Sequence, residues 1–343
     1  MKAPIKELET RVYRTYRGGA LIAEFMGRNE EDSFQPEDWI SSFVEAKNKV
    51  VIKDEGLTRV SANGEVKLLC DTVSREDFGE GRTDAGVLVK LLDSAERLGI
   101  QVHPTKEYAR RIFNSEYGKT ECWHILKTRS IGEETPCIYL GFKENISKEK
   151  WRELFERQDV SGMLGSMHRI EVKAGDTILV TGGTPHAIGA GCFMLEIQEP
   201  SDYTMRSECV TVAGEALTPM QIHYGVGVEN MLDCFEYIGR SERELRDSFF
   251  LKEREDESCK TLTHLVTYSD TECFALDKIS GGIYRHVSDA FVTLIITESG
   301  GKISHGCGDI YPSRGEKYFI PAGLEVVLRD VHALISYPPK IKK

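Results

Sequence analysis

Gln101-Val102-His103-Pro104, running on to Gly118-Lys119-Thr120-Glu121, is the stretch that decides how this chain is read. Side chains of an extended segment alternate between two faces, so Gln101 and His103 point one way and Val102 the other. Glu121 opens a second extended run, Glu-Cys-Trp-His-Ile-Leu, in which Glu121, Trp123 and Ile125 share a face. A third piece, Thr184-Pro185-His186-Ala187-Ile188, brings another imidazole on a turn leaving the apolar run Ile178-Leu179-Val180. Three β-like runs thus place polar groups where a small barrel favours apolar ones. Any one of these residues alone is more often a surface or core side chain than a ligand. Together, an amide oxygen, two imidazoles and a carboxylate suit a divalent transition metal such as zinc, with room for water or substrate.

The arrangement resembles the cupin pattern, with His and Glu from a first motif and a last His from a second. More narrowly, it resembles the class I mannose-6-phosphate isomerases. The matching blocks are Leu88 to Pro104, Glu107-Tyr108-Ala109, Gly118 to Ile125, Gly175-Asp176, Gly183 to Gly189, Glu196-Ile197-Gln198, and Ser201-Asp202 leading to Arg206. A thinner likeness runs from about Tyr16 to about Ser336.

The resemblance implies a mainly β fold of two cupin-type jelly-roll barrels with a small helical insertion. Residues 1–225 would form the metal-binding catalytic domain, with a helical segment at 147–168. Residues 226–343 would form a degenerate, metal-free second barrel. Gln101, His103, Glu121 and His186 match the family's ligands for one zinc ion per chain, although other divalent metals would suit the same donors. Arg206 matches the active-site arginine, and Lys119 the lysine two residues before the ligand glutamate. For the proton transfer Lys119 is the expected carrier or oxygen partner, with Asp202 and Glu196 as runner-up bases. The implied activity is the interconversion of mannose 6-phosphate and fructose 6-phosphate through an enediol or enediolate. Two rivals stand beside it: a non-catalytic sugar-binding or regulatory cupin, and an iron-dependent cupin oxygenase. The chain departs from its relatives at Thr181-Gly182-Gly183, Glu199-Pro200 and Met205, all beside the residues expected to hold the sugar.

Composition bounds the rest. The 343 residues are enough for two domains. No apolar run approaches the ~20 residues of a membrane span, and the start of the chain lacks the apolar core of a signal peptide. The nine cysteines include no CxxC pair, which points to reduced thiols rather than a disulfide framework. A formal net charge of −11 argues against nucleic acid or an anionic membrane as partner. A cytoplasmic protein acting on a small phosphorylated sugar, as monomer or homodimer, is the expectation.

Along the chain, the residues around Gly18-Gly19 read as strand, turn and strand, with Leu21 and Ile22 in the second strand. Trp39 reads as an aromatic packing a loop onto the barrel, and Val50-Val51-Ile52 as strand-like. Leu88 to Leu92 is a buried-strand candidate. The segment from Glu107 to Phe113 reads as a short helix. Lys106, three residues beyond His103, is the phosphate candidate; Arg110 and Arg111 read as a solvated face. Trp151, Leu154 and Phe155, repeated by Met163, Leu164 and Met167, form a helical stripe packed on the sheet. Ser147 caps its start. Ser241 to Ser258, strongly charged, reads as an exposed link between the barrels. Beyond it, strand-like runs at Phe274 to Ile279, Phe291 to Thr297 and Tyr318 to Ile320 suggest a second, eroded barrel. A Gly308-Asp309 turn precedes its Pro321-Ala322-Gly323, and Leu324-Glu325-Val326-Val327 then supplies no histidine. His264, His286, His305 and His332 show no ligand spacing.

Overall fold

The computed structural model describes residues 2–62, 64–143 and 146–341. Among these residues the strands assemble two barrels, each from a larger and a smaller antiparallel sheet. In the first barrel, a seven-stranded sheet centres on Glu121–Thr128, Cys192–Gln198 and Leu88–Ser94. The facing five-stranded sheet carries Cys137–Phe142, His186–Ile188, Gln101–Val102 and Met205–Arg206. The second barrel repeats the plan with a seven-stranded and a four-stranded sheet.

The strand Leu88–Ser94 is buried at every residue because both of its faces are covered. Val89 and Leu91 face outward into a core shared with Leu276, Phe291 and Phe319 of the second barrel, whereas Leu92 joins Trp123, Ile125 and Met194 inside the first. The apolar run that marks this strand in the sequence therefore reflects two cores rather than one. Polar groups also cross the seam. The short strand Ile5–Lys6 pairs with Lys317–Ile320 of the second barrel. The next residue, Glu7, accepts hydrogen bonds from Ser41 N–H at 2.9 Å and Ser41 Oγ–H at 2.5 Å. The buried ammonium of Lys317 pairs with Asp38 on the first-barrel strand Glu37–Ile40.

The helical insertion comprises Lys148–Glu156 and Val160–Gly165. Ser147 Oγ accepts from Lys150 N–H and the Asp159 carboxylate from Gly162 N–H, satisfying donors that a helix start leaves free. Trp151, Leu154, Phe155, Met163 and Met167 pack with Val102 and Met205 of the smaller sheet.

Four readings need correction. Leu21 and Ile22 lie on a helix, Ala20–Phe25, not on a strand; Gly19 enters it at φ 105°, a left-handed turn where a side chain would strike Arg11. Val50, Val51 and Ile52 form an exposed loop tip, with 70%, 89% and 46% of their surface accessible. The segment 241–258 is not a free linker: Ser241 caps the helix Glu242–Phe249, whose Leu245 and Phe249 enter the first core. Phe250–Leu251 then pairs with Thr177–Val180, so the chain stays with the first barrel's sheet to Leu251. Finally, Gly308-Asp309 opens the strand Gly308–Ile310. The turn equivalent to Gly175-Asp176 is Gly315-Glu316, each pair preceding a four-residue strand.

Candidate metal centre

Three elements of the first barrel carry the donors. Strand Gln101–Val102 and its extension to His103 lie beside His186, through a register that pairs His186 with Gln101. Glu121 opens the strand Glu121–Thr128 on the opposing sheet. His103, Glu121 and His186 are buried, and one ligand atom from each lies within 4.8 Å of the others. His103 Nε2 is 3.1 Å from Glu121 Oε2, His186 Nε2 is 3.4 Å from Glu121 Oε1, and Gln101 Nε2 is 3.1 Å from His186 Nε2.

Both imidazoles are oriented from behind. His103 Nδ1–H donates to the Tyr203 carbonyl at 2.9 Å, and His186 Nδ1–H to the Thr184 carbonyl at 2.9 Å. Each ring therefore turns its Nε2 inward as an unprotonated donor, the tautomer a metal ligand requires. Burial, together with the nearby Lys119 ammonium, holds the His103 pKa down to about 3, and burial lowers that of His186. Burial alone would raise the Glu121 pKa, but Lys119 and His103 keep it well below the usual carboxylate range. Two neutral imidazoles facing a carboxylate that stays ionised match a divalent cation in charge, donor type and geometry.

Lys119 lies within this cluster, with Nζ 2.9 Å from His103 Nε2 and 3.1 Å from Glu121 Oε2. Arg206, paired in register with Gln101, lines the same cavity and donates from Nη1 to the Gln221 carbonyl at 2.5 Å. Asp202 also lines the cavity, where Arg14 Nη2 is 3.4 Å from its Oδ1. Burial pushes the Asp202 pKa up, and Arg14 and the neighbouring lysines more than reverse that. Lys106 does not share this wall. Its ammonium pairs with Glu272 at 3.0 Å and Glu199 at 3.6 Å. Arg110 pairs with Glu116 on an exposed helix face.

The cavity holds a second charged group that the sequence reading did not single out. Lys90 is buried, with Nζ 3.1 Å from Glu196 Oε1 and 3.7 Å from Glu37 Oε2. Glu37 also accepts from Tyr16 Oη–H at 2.6 Å and Trp39 Nε1–H at 2.8 Å, and pairs with Arg14 Nε at 2.9 Å. Glu196 differs, because burial raises its pKa to about 7 despite Lys90. The available signal was Lys90 itself, a charge inside the run Leu-Val-Lys-Leu-Leu, where an apolar residue would be expected.

No family model matches the chain. A curated relative from Bacillus subtilis (strain 168), "Probable mannose-6-phosphate isomerase GmuF", is 41% identical over 120 residues, and the chain spans only 36% of its length in that match. "Mannose-6-phosphate isomerase ManA" of the same organism is 29% identical over 256 residues, 73% of this chain and 74% of that one. The crystal structure of the mannose 6-phosphate isomerase from Bacillus subtilis superposes with a TM-score of 0.75 at 23% identity, covering 98% of this chain and 99% of the other. This chain is homologous to mannose-6-phosphate isomerases. It shares their mainly β fold, and the His103, Glu121 and His186 cluster that could hold a metal ion lies inside its first barrel.

Proposed function

We propose that this chain is a zinc-dependent aldose–ketose isomerase that interconverts mannose 6-phosphate and fructose 6-phosphate. The carrying observation is the convergence of Gln101, His103, Glu121 and His186 on one buried point, with Lys119 against them and a charged cavity in front. Those four side chains would hold the metal, which when bound supplies a Lewis acid for the sugar's O1 and O2.

The reaction moves a proton between C2 and C1 and another between O1 and O2, with negative charge building on oxygen in between. Fixed donors aimed at that charge are worth most in a water-poor site. Lys119 is placed to carry or donate the proton on the oxygen side, and Arg206 to steady the substrate's oxygens or its phosphate with paired N–H groups. The carbon-bound proton needs a base that can take it and return it. Asp202 and Glu196 are both runner-up bases from the sequence, and Glu196, its pKa raised by burial to about 7, is the stronger of the two on its environment. The second barrel, in this reading, is a metal-free support.

Among the described residues no helix is long and apolar enough to cross a membrane. All nine cysteines are free thiols, which supports our placing the protein in the reducing cytoplasm.

The test is a coupled assay on mannose 6-phosphate and fructose 6-phosphate, before and after chelation. Turnover lost with chelator and regained with zinc is the expected result. Sugar-phosphate binding without turnover would make the chain a regulatory sugar-binding protein. Oxygen uptake on loading with iron would make it an oxygenase.

A further inference from the structure

The loop between the strands Glu37–Ile40 and Arg59–Ala62 holds none of the candidate metal ligands, yet it is bonded to Asp202, a residue of the cavity wall. Glu55 closes its base. The carboxylate accepts from Tyr13 N–H at 2.8 Å and from the Asn48 side-chain N–H at 2.9 Å, and the Glu55 carbonyl accepts from Ala46 N–H at 2.9 Å. Gly56 then turns at φ 88°, where a Cβ would lie 2.7 Å from the Trp39 ring. So held, Lys47 donates its backbone N–H to Asp202 Oδ2 at 3.1 Å. Its ammonium lies 4.0 Å from the centre of the Tyr203 ring and 5.6 Å from that of Tyr224.

The cations around the cavity differ in what already neutralises them. Arg14 pairs with Glu37 and Asp202, Lys90 with Glu196 and Glu37, and Lys119 with Glu121. Lys106 is held by Glu199 and Glu272. Among the described residues, Lys47 and Arg206 form no ion pair, and both act near Tyr224. A phosphate dianion is held best by charges not already committed to a carboxylate. In an open-chain hexose phosphate, the phosphate lies at the far end of the carbon chain from C1 and C2. A sugar with C1 and C2 at the metal centre therefore directs its phosphate away from that centre, and Asp202 and Arg206 on the cavity wall are the residues that Lys47 and Tyr224 adjoin.

We propose that Lys47 is a loop-borne contact for the substrate's phosphate, acting with Arg206 across Tyr224 and selecting phosphorylated sugars. This rests on the isomerase reading. The experiment uses the full-length, metal-loaded chain, with Lys47→Met keeping the apolar stem and Lys47→Arg keeping the charge. Lys47→Met raises KM for mannose 6-phosphate about tenfold and weakens competitive inhibition by inorganic phosphate by the same factor. Its kcat and metal content hold, and Lys47→Arg restores most of the affinity. A merely structural role would act through Tyr203, whose carbonyl orients His103. It would lower kcat or metal content while leaving phosphate inhibition unchanged, and that result overturns the proposal. An active parent with unchanged KM and inhibition in Lys47→Met overturns it alone. A parent with no isomerase turnover overturns the isomerase reading and this inference together.

Discussion

Strand pairing superimposes the two barrels residue on residue, and their interiors then differ at the positions that matter. Glu121 pairs with Val180, the last residue of a four-residue strand; Val292 pairs with Ile320, the last residue of the matching strand in the second barrel. His186 and Val326 each stand nine positions after the start of that strand. Gln101 pairs with His186 as His286 pairs with Val326. A carboxylate and an imidazole in one barrel thus correspond to two valines in the other, both packed in an apolar core with Leu294 and Ile335. The same backbone serves both, so chemistry is a matter of which few inward positions carry donors. The second barrel gains a continuous core, and its outer face supports the seven-stranded sheet that carries Glu121.

The comparison can be broken in four places. Glu121→Ala should carry the largest effect, removing most bound metal by elemental analysis and lowering turnover at least about a thousandfold. Normal metal content would remove Glu121 from the ligand set. Next, Lys317→Ala at the seam leaves Asp38 buried without its cation. Chemical denaturation should show a loss of about 3–5 kcal/mol, and a loss within error would mean the barrels are joined by apolar contact alone. Third, Val326→His installs the first barrel's residue in the second. Lacking the carboxylate, it should cost about 1–3 kcal/mol for a buried polar group and add no metal; a second equivalent of bound metal would contradict that account. The last place is Glu7, whose pKa burial raises from 4.5 to about 7, with Ser41 and Lys317 only partly opposing. A carboxyl raised on folding contributes its full stability below about pH 4.5 and loses it as pH climbs through about 7. The stability of the parent relative to Glu7→Gln should fall across that window by at most about 1.4 kcal/mol per pH unit. A pH-independent difference would show that Glu7 titrates normally.

Much of the first barrel was legible because its signals are local. The alternation in Gln101-Val102-His103, the apolar run at Leu88 to Leu92 and the helical stripe at Trp151 each follow from a backbone period that a short window contains. Leu21 and Ile22 misled because two apolar residues after a glycine pair fit either period. Val50-Val51-Ile52 misled because β-branched composition reports a preference that a solvent-exposed loop tip does not satisfy. The Ser241 to Ser258 segment looked exposed because only Leu245 and Phe249 in its helix are apolar, and those two suffice to dock it.

By itself, then, the amino-acid order determined the strand-rich architecture, the donor types and the elements that carry them. Only the tertiary structure decided that His103 and His186 turn Nε2 inward, that Lys90 and Glu196 share a buried cavity, and that the Lys47 ammonium lies over the Tyr203 ring. Each depends on partners far apart in the chain. Electrostatics and hydrogen bonding act through space over a few ångströms, and no window of sequence records that distance.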